Sequence, residues 1–417
     1  MPTFRYGSRQ QTAPLVFLAV LLVASAFVPL AHAQPSVVAT VNGGYSPTGV
    51  AYDSAKGEIF VADYGSNNVT VISDSTNAEV ANISVGDSPS GIAYDSAKGE
   101  VFVANVGSDT VSVISDSTNK VVANVTVGDT PTALAYDSAK GEVFVVNNAP
   151  DATTGTVSVI SDSTNMVIAT LSLGIAPDAI AYDSAKGEMF VANYNDYISV
   201  ISDSTNTIIA NITGVTLPIG MAYDSAKGEL FVACSPNVVS VVSDSTNAVV
   251  ANVTAGNNPY GVAYDPGTGE VFVANEMDNT VSVISDGNNG VVTTVGVGNQ
   301  PQALAYDSGK GEVFVGNMGD NTVSVISVGA APATTSTSSL VTSSSFAATS
   351  SGPASTQSTS AASQNSVQTT TSSSSSGGGI PVFPYQFTIA AVFTLLLAAS
   401  YLLVRRRTSL SSHPSQS

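Results

Sequence analysis

Tryptophan is absent from the 417 residues, cysteine occurs once and histidine twice. A lone Cys234 cannot close an intramolecular disulfide, so the chain is not a disulfide scaffold. Basic residues are also scarce, with 12 Lys and Arg against 31 Asp and Glu, for a net charge of −19. That balance argues against nucleic acid and anionic membrane surfaces as partners. Position sharpens the scarcity. Every Arg lies at 5, 9 or 405–407, and the histidines are His32 and His413, so residues 34–379 contain neither type. Histidine-based triads, histidine–metal sites and arginine fingers are therefore unavailable to that span.

What is present at the N-terminus reads as a secretory signal. Arg5 and Arg9 precede an apolar run from Leu15 to Leu30, and Ala31-His32-Ala33 is a small-x-small cleavage pattern. At the other end, Phe387 to Val404 is uncharged and long enough for one membrane crossing, with Ile380 to Phe383 extending it. Arg405, Arg406 and Arg407 follow, which predicts a cytoplasmic tail over 405–417. Residues 329–379 are almost wholly Ser, Thr, Ala, Gly, Gln and Pro and cannot bury a core, so they predict a disordered stalk. The domain reading is a signal peptide over 1–33, a repeat domain over 34–328, the stalk, and a transmembrane helix over 380–404.

The middle is one unit written seven times. Ala-Tyr-Asp begins at Ala51, Ala93, Ala135, Ala181, Ala222, Ala263 and Ala305, at spacings of 42, 42, 46, 41, 41 and 42. The string AYDSAKGE is identical in the first five copies, then becomes AYDPGTGE and AYDSGKGE. A period of about forty residues marks a propeller or a solenoid. Within the second copy, apolar residues alternate with period two: Gly91–Tyr94, Glu100–Asn105, Thr110–Ser115 and Lys120–Val127 read as strands between Gly- and Asn-bearing turns. Four strands per unit and seven units predict an all-β, seven-bladed β-propeller. The seventh unit stops after its third strand, and Ser36–Val41 matches the missing fourth. The N-terminal strand is therefore expected to close the last blade.

The unit resembles the YVTN (YncE-like) β-propeller repeat of archaeal surface-layer-type proteins. The motif stands here as Phe102-Val-Ala-Asn105, Phe144-Val-Val-Asn147, Phe190-Val-Ala-Asn193, Phe272-Val-Ala-Asn275 and Phe314-Val-Gly-Asn317, with Asp63 and Cys234 where Asn is expected. The resemblance implies the propeller fold and a cell-surface setting, and no single activity.

A meander places the first-to-second and third-to-fourth turns on one face of the disc. Those turns, DSAKGE and SDSTN, are nearly invariant and read as structural. The opposite face varies from blade to blade, as binding loops on a rigid scaffold do. Its candidate ligand-binding residues are Tyr45, Tyr64, Asp87, Asp129, Asp151, Tyr194, Asp196, Tyr197, Tyr260, Asp278 and Asp320. Residues 34–379 hold all 31 acids against seven lysines, a net of −24, and the variable face has acids and no base. It predicts a basic or cation-mediated partner, either a protein or a glycan of the cell envelope or extracellular space, bound in a salt-sensitive way. The stalk leaves from the invariant side, so the variable face is expected to point away from the membrane.

Sequons occur at Asn68, Asn82, Asn124, Asn211 and Asn252, the last four at one position of the fourth strand, and mark candidate glycosylation sites. No catalytic residue, metal or cofactor is assigned. The reading is a non-enzymatic, membrane-anchored surface protein for adhesion, envelope association or recognition. Two alternatives stand beside it: a lyase- or lactonase-like propeller with carboxylate-held metal, and a surface-layer component without a specific ligand.

Overall fold

In the computed structural model, residues 33–149 and 154–328 are described. The expected signal peptide (apart from residue 33), stalk, transmembrane helix and tail, together with Asp151, lie outside the described residues. Twenty-eight strands form seven four-stranded antiparallel sheets. Blades one to six are consecutive: residues 47–84, 89–126, 131–172, 177–213, 218–254 and 259–296. The seventh joins residues 301–327 to the N-terminal strand Ser36–Asn42, which pairs with Thr322–Ser327 through Ser36↔Ser327 and Val41↔Val323. Among the described residues there is no helix. The seven-bladed propeller and its N-terminal closing strand are thus as the repeat arithmetic requires.

Strand bounds differ from the periodicity reading at two strands of the second blade. The outermost ends at Thr126 rather than Val127, and the innermost runs Pro89–Asp95, two residues longer at its start and one at its end. Proline has no N–H to donate, and the start of a strand tolerates that. Turn chemistry follows the sequence. Gly99 of the DSAKGE turn has φ +65°, and Asn119 of the SDSTN turn has φ +51°. Both are the left-handed region that Gly and Asn enter at least cost.

The core lies between blades, because the second and third strands of each sheet are buried on both faces. One fully buried phenylalanine per blade (Phe60, Phe102, Phe144, Phe190, Phe231, Phe272, Phe314) reaches across an interface. Phe60 packs on Val101, Val103 and Ile114 of the second blade, and Phe314 packs on Ile59, Val61 and Ile72 of the first. The second contact closes the ring. Each outermost strand carries a bulge, at Val38, Val80, Val122, Ile168, Ile209, Val250 and Val292. Such bulges break the regular hydrogen-bonding edge that strands otherwise offer to one another.

The invariant face is an inter-blade clasp. Lysine ammoniums of one blade donate to the carbonyl of the aspartate that opens the third-to-fourth turn of the next: Lys56 to Asp116, Lys98 to Asp162, Lys140 to Asp203, Lys186 to Asp244, Lys227 to Asp286. Lys310 reaches Asp74 across the closure. Carboxylate distances in five of these pairs are 3.2–3.6 Å. One junction lacks the clasp. Blade seven has no third-to-fourth turn, so Val328 stands where the acceptor would be, and blade six has Thr268 in place of the donor lysine. Thr268 instead bonds Asp265 of its own blade at 2.6 Å. The donor is missing where the acceptor is missing. Because the lysines are about one-third exposed, Lys310→Met is expected to cost at most about 1 kcal/mol. Thermal unfolding checks this, and a much larger loss would show that the clasp, not the interface core, holds the ring.

Candidate functional site

Seven innermost strands converge on the axis, and the residue after the leading proline of each faces the channel mouth on the variable side. These are Thr48, Ser90, Thr132, Asp178, Ile219, Tyr260 and Gln302. Below them lies a ring of glycine and alanine. A β-carbon on Gly49 or Gly220 would come within 1.9 Å of the carbonyl oxygen of Ser90 or Tyr260 in the next blade, so crowding at the axis demands small residues there. The next layer is aliphatic throughout: Val50, Ile92, Leu134, Ile180, Met221, Val262 and Leu304. Together these line a cavity of ≈ 400 Å³, with Tyr64 and Met318 also on its wall.

Two rings are thus constant in character and one is not. The variable ring is also asymmetric. Thr48, Ser90 and Thr132 supply hydroxyls on one side, with Thr48 donating to the carbonyl of Pro89 at 3.2 Å. On the other side, Gln302 donates to Glu276 at 2.9 Å, and Glu276 also accepts from Asn258 at 2.5 Å. Asp178 is half-buried and makes no hydrogen bond or ion pair with any described residue. Burial alone pushes its pKa up to about 6. Burial also raises the Tyr260 phenol, and the negative charges of Asp178 and Glu276 raise it further.

Of the eleven residues singled out in the sequence, Tyr64 and Tyr260 line this cavity. The other described ones do not line it. The Tyr45 ring lies over Gly65, and the Tyr197 hydroxyl lies over Gly174, where a β-carbon would meet it at 1.4 Å. Tyr194 is exposed. Most of the acids are engaged by loops. Asp278 accepts from the backbone and side-chain amides of Asn257, both at 2.8 Å. Asp320 does the same with Asn299, at 2.7 and 2.6 Å. Asp87 accepts from Asn67 at 3.0 Å. Asp196, at φ +66°, accepts the Leu217 N–H of the next blade at 2.8 Å. Asn67, Asp109, Asn279 and Asn321 hold the equivalent bonds to Ser88, Thr130, Gln300 and Ser46. Asp129 is exposed.

Asp178, Gln302 and the three hydroxyls are absent from that set. Their one sequence signal is a residue that changes from blade to blade directly after an otherwise regular Gly-x-x-Pro loop. Among the described residues, no group of three or more His, Cys, Asp or Glu is arranged to hold a metal ion. Cys234 is buried, its thiol 3.6 Å from the Ser240 hydroxyl.

The sequons fall on the rim of the disc. Asn82, Asn124, Asn211 and Asn252 are exposed on outermost strands, each bonded at its inner end to a third-strand hydroxyl. Asn68 differs: its sequon hydroxyl, Thr70, is buried and donates to Asp63 at 2.7 Å.

Residues 45–72 match the NHL repeat model. No curated protein matches the chain. Among solved structures, 1779 chains match, so the scaffold is widespread and carries no activity by itself. One is the hydrazine synthase of Kuenenia stuttgartiensis, at 15% identity and a TM-score of 0.61, covering 68% of this chain and 95% of that one. At that identity the likeness is one of fold. The chain is a seven-bladed β-propeller repeat protein.

Proposed function

We propose that this protein is a non-enzymatic, membrane-anchored recognition module of the YVTN type, displayed on the cell surface and binding through its variable face. One observation carries the reading: the blades contribute differing residues to a single ring at the channel mouth, while the layers beneath and the opposite face repeat almost unchanged. Selection for packing alone produces sameness, as the Phe ring does. Diversity confined to one convergent ring is what ligand recognition on a rigid scaffold requires. The signal-like N-terminus, the Ser/Thr-rich segment and the apolar run before three arginines supply the setting. Both ends of the described chain lie at the clasp face, since Ser36 pairs with Ser327 and Glu312 pairs with the same residue. A tether there leaves the variable face outward. The partner is an envelope or extracellular protein or glycan with basic character.

A tag inserted after Asn148 is expected to be labelled on intact cells, and labelling only after lysis overturns the surface placement. Association of the full chain with envelope preparations is expected to fall at least tenfold in Tyr64→Ala and Tyr260→Ala and to be unchanged in Lys98→Ala. Equal loss in all three would place binding elsewhere. The same protein is expected to carry glycan at Asn124, Asn211 and Asn252 and none at Asn68, where the hydroxyl of the sequon is sequestered. Mass spectrometry showing all five sites bare rejects the glycoprotein assignment.

A further inference from the structure

We propose that the channel mouth binds an alkylammonium cation, with the charge against Asp178 and the hydrocarbon on the aliphatic ring below. The proposal rests on the recognition reading above and names what that face holds.

The fold has no need of a carboxylate at position 178. Its six counterparts are Thr48, Ser90, Thr132, Ile219, Tyr260 and Gln302, and the innermost strand runs alike in every blade. The fold therefore tolerates hydroxyl, aliphatic, aromatic and amide groups at this position and has no requirement for a carboxylate. A desolvated carboxylate without a partner costs stability. The acids elsewhere on this face show how the protein normally spares itself that cost: Asp196, Asp278 and Asp320 each accept from backbone N–H groups. Asp178 alone of the ring carries an unpaired carboxylate into the cavity. A residue that breaks the local rule without a structural return marks a functional position.

The surroundings select the complement. No Lys, Arg or His lines the cavity, so the charge must come from outside. Asp178 and Glu276 both lie close enough to act on the Tyr260 phenol, so two carboxylates serve this side of the ring and repel anions. Ile219 stands between Asp178 and Tyr260 in blade order, and Leu134, Ile180 and Met221 lie beneath. That wall offers nothing to a bare metal ion or an ordered sugar hydroxyl and suits a methylene chain. The volume of ≈ 400 Å³ takes one such group, either a small free amine or a single lysine side chain presented by a partner.

Calorimetry with the full chain in detergent decides the matter, using n-butylammonium, a blocked tripeptide with a central lysine, and the same tripeptide with norleucine. Saturable binding of the ammonium probes is expected. It should weaken at least tenfold in Asp178→Asn and in Asp178→Thr, whose melting temperatures should equal or exceed that of the parent. The threonine variant reproduces blades one and three, so the fold accommodates it. Tighter binding of the lysine tripeptide than of n-butylammonium identifies a partner's side chain as the source, and the reverse identifies a free amine. No saturable binding, equal binding by the Asp178 variants, or norleucine binding as well as lysine overturns the cation assignment. Envelope association that still depends on Tyr64 and Tyr260 would then leave the recognition reading standing.

Discussion

Val41→Asp is expected to destabilise the propeller by about 3–5 kcal/mol, because it places an unpaired carboxylate in a sealed interface. Val41 is 8% exposed and packs with Ile59, Val61, Phe314, Val323 and Val325. It sits on the strand that closes blade seven, so the damage has a particular form. The matching substitution Val125→Asp, in blade two, disrupts a strand held at both ends by its neighbours in the chain. The strand Ser36–Asn42 is covalently held to the propeller at one end only. Limited proteolysis of Val41→Asp should therefore clip the chain N-terminal to residue 47 while the remainder stays protected, whereas Val125→Asp should give no such discrete product. A lowering of the melting temperature by roughly 5–15 °C would accompany the Val41 change. If Val41→Asp neither lowers the melting temperature nor exposes the N-terminus, the closing strand does not hold the ring.

The second large effect has the opposite sign. Asp63→Asn is expected to stabilise the protein at pH 8 by about 1–3 kcal/mol, because it removes a buried negative charge while its amide oxygen is left no worse partnered than those of Asn105, Asn147, Asn193 and Asn317. Asp63 is fully buried. One carboxylate oxygen accepts from Thr70 at 2.7 Å, and the other has no partner. Burial is the main cause that lifts its pKa to about 7, with the Glu79 charge adding to it. Five other blades place Asn there. Asn105, Asn147, Asn193, Asn275 and Asn317 each donate to a third-strand serine at 2.9–3.1 Å. In blade two the chain of donors runs outward, from Asn105 to Ser112 to Asn124. In blade one it is reversed, because a carboxylate can only accept: Asn82 donates to Thr70, which donates to Asp63. The Asp63→Asn change restores the outward order.

The pH dependence follows from the direction of the shift. A carboxyl whose folded pKa is raised favours folding fully only below its unfolded value, about 3.9, and loses that contribution as pH rises through about 7. The melting temperature of the parent is therefore expected to rise from pH 8 to pH 5, and the excess of the Asp63→Asn variant over it should be larger at pH 8 than at pH 5. Glu58, Glu100, Glu142, Glu188, Glu229 and Glu312 are all raised chiefly by burial and push the same way. A parent more stable at pH 8 than at pH 5, or a destabilised variant at pH 8, contradicts this account.

The blades are legible in the sequence because repetition supplies its own controls: seven copies of one alternating pattern leave little freedom in strand number, order or closure. Face assignment is legible for the same reason, since a meander fixes which turns share a side. The acids of the variable face are harder. Asp196, Asp278 and Asp320 look like free carboxylates in a sequence, yet each is engaged by an amide that lies 21 residues away. Asx-type roles of this kind are visible only when the adjacent loop is in place. The ring at the channel mouth is hidden by the same geometry. Thr48, Asp178 and Gln302 share nothing as residues, and only convergence at an axis makes them one surface.

The split seventh blade also sets how the molecule responds to load. The sequence continues for 89 residues beyond Val328, on the C-terminal side of the strand Thr322–Ser327. That strand is flanked by Glu312–Asn317 on one side and Ser36–Asn42 on the other. Tension transmitted through the C-terminal segment must break two hydrogen-bonded ladders together before the first strand leaves. Had the seventh unit ended on its own fourth strand, the same tension would have peeled an outer edge through one ladder. Lending that edge to the N-terminus places the mechanically weaker strand outside the load path.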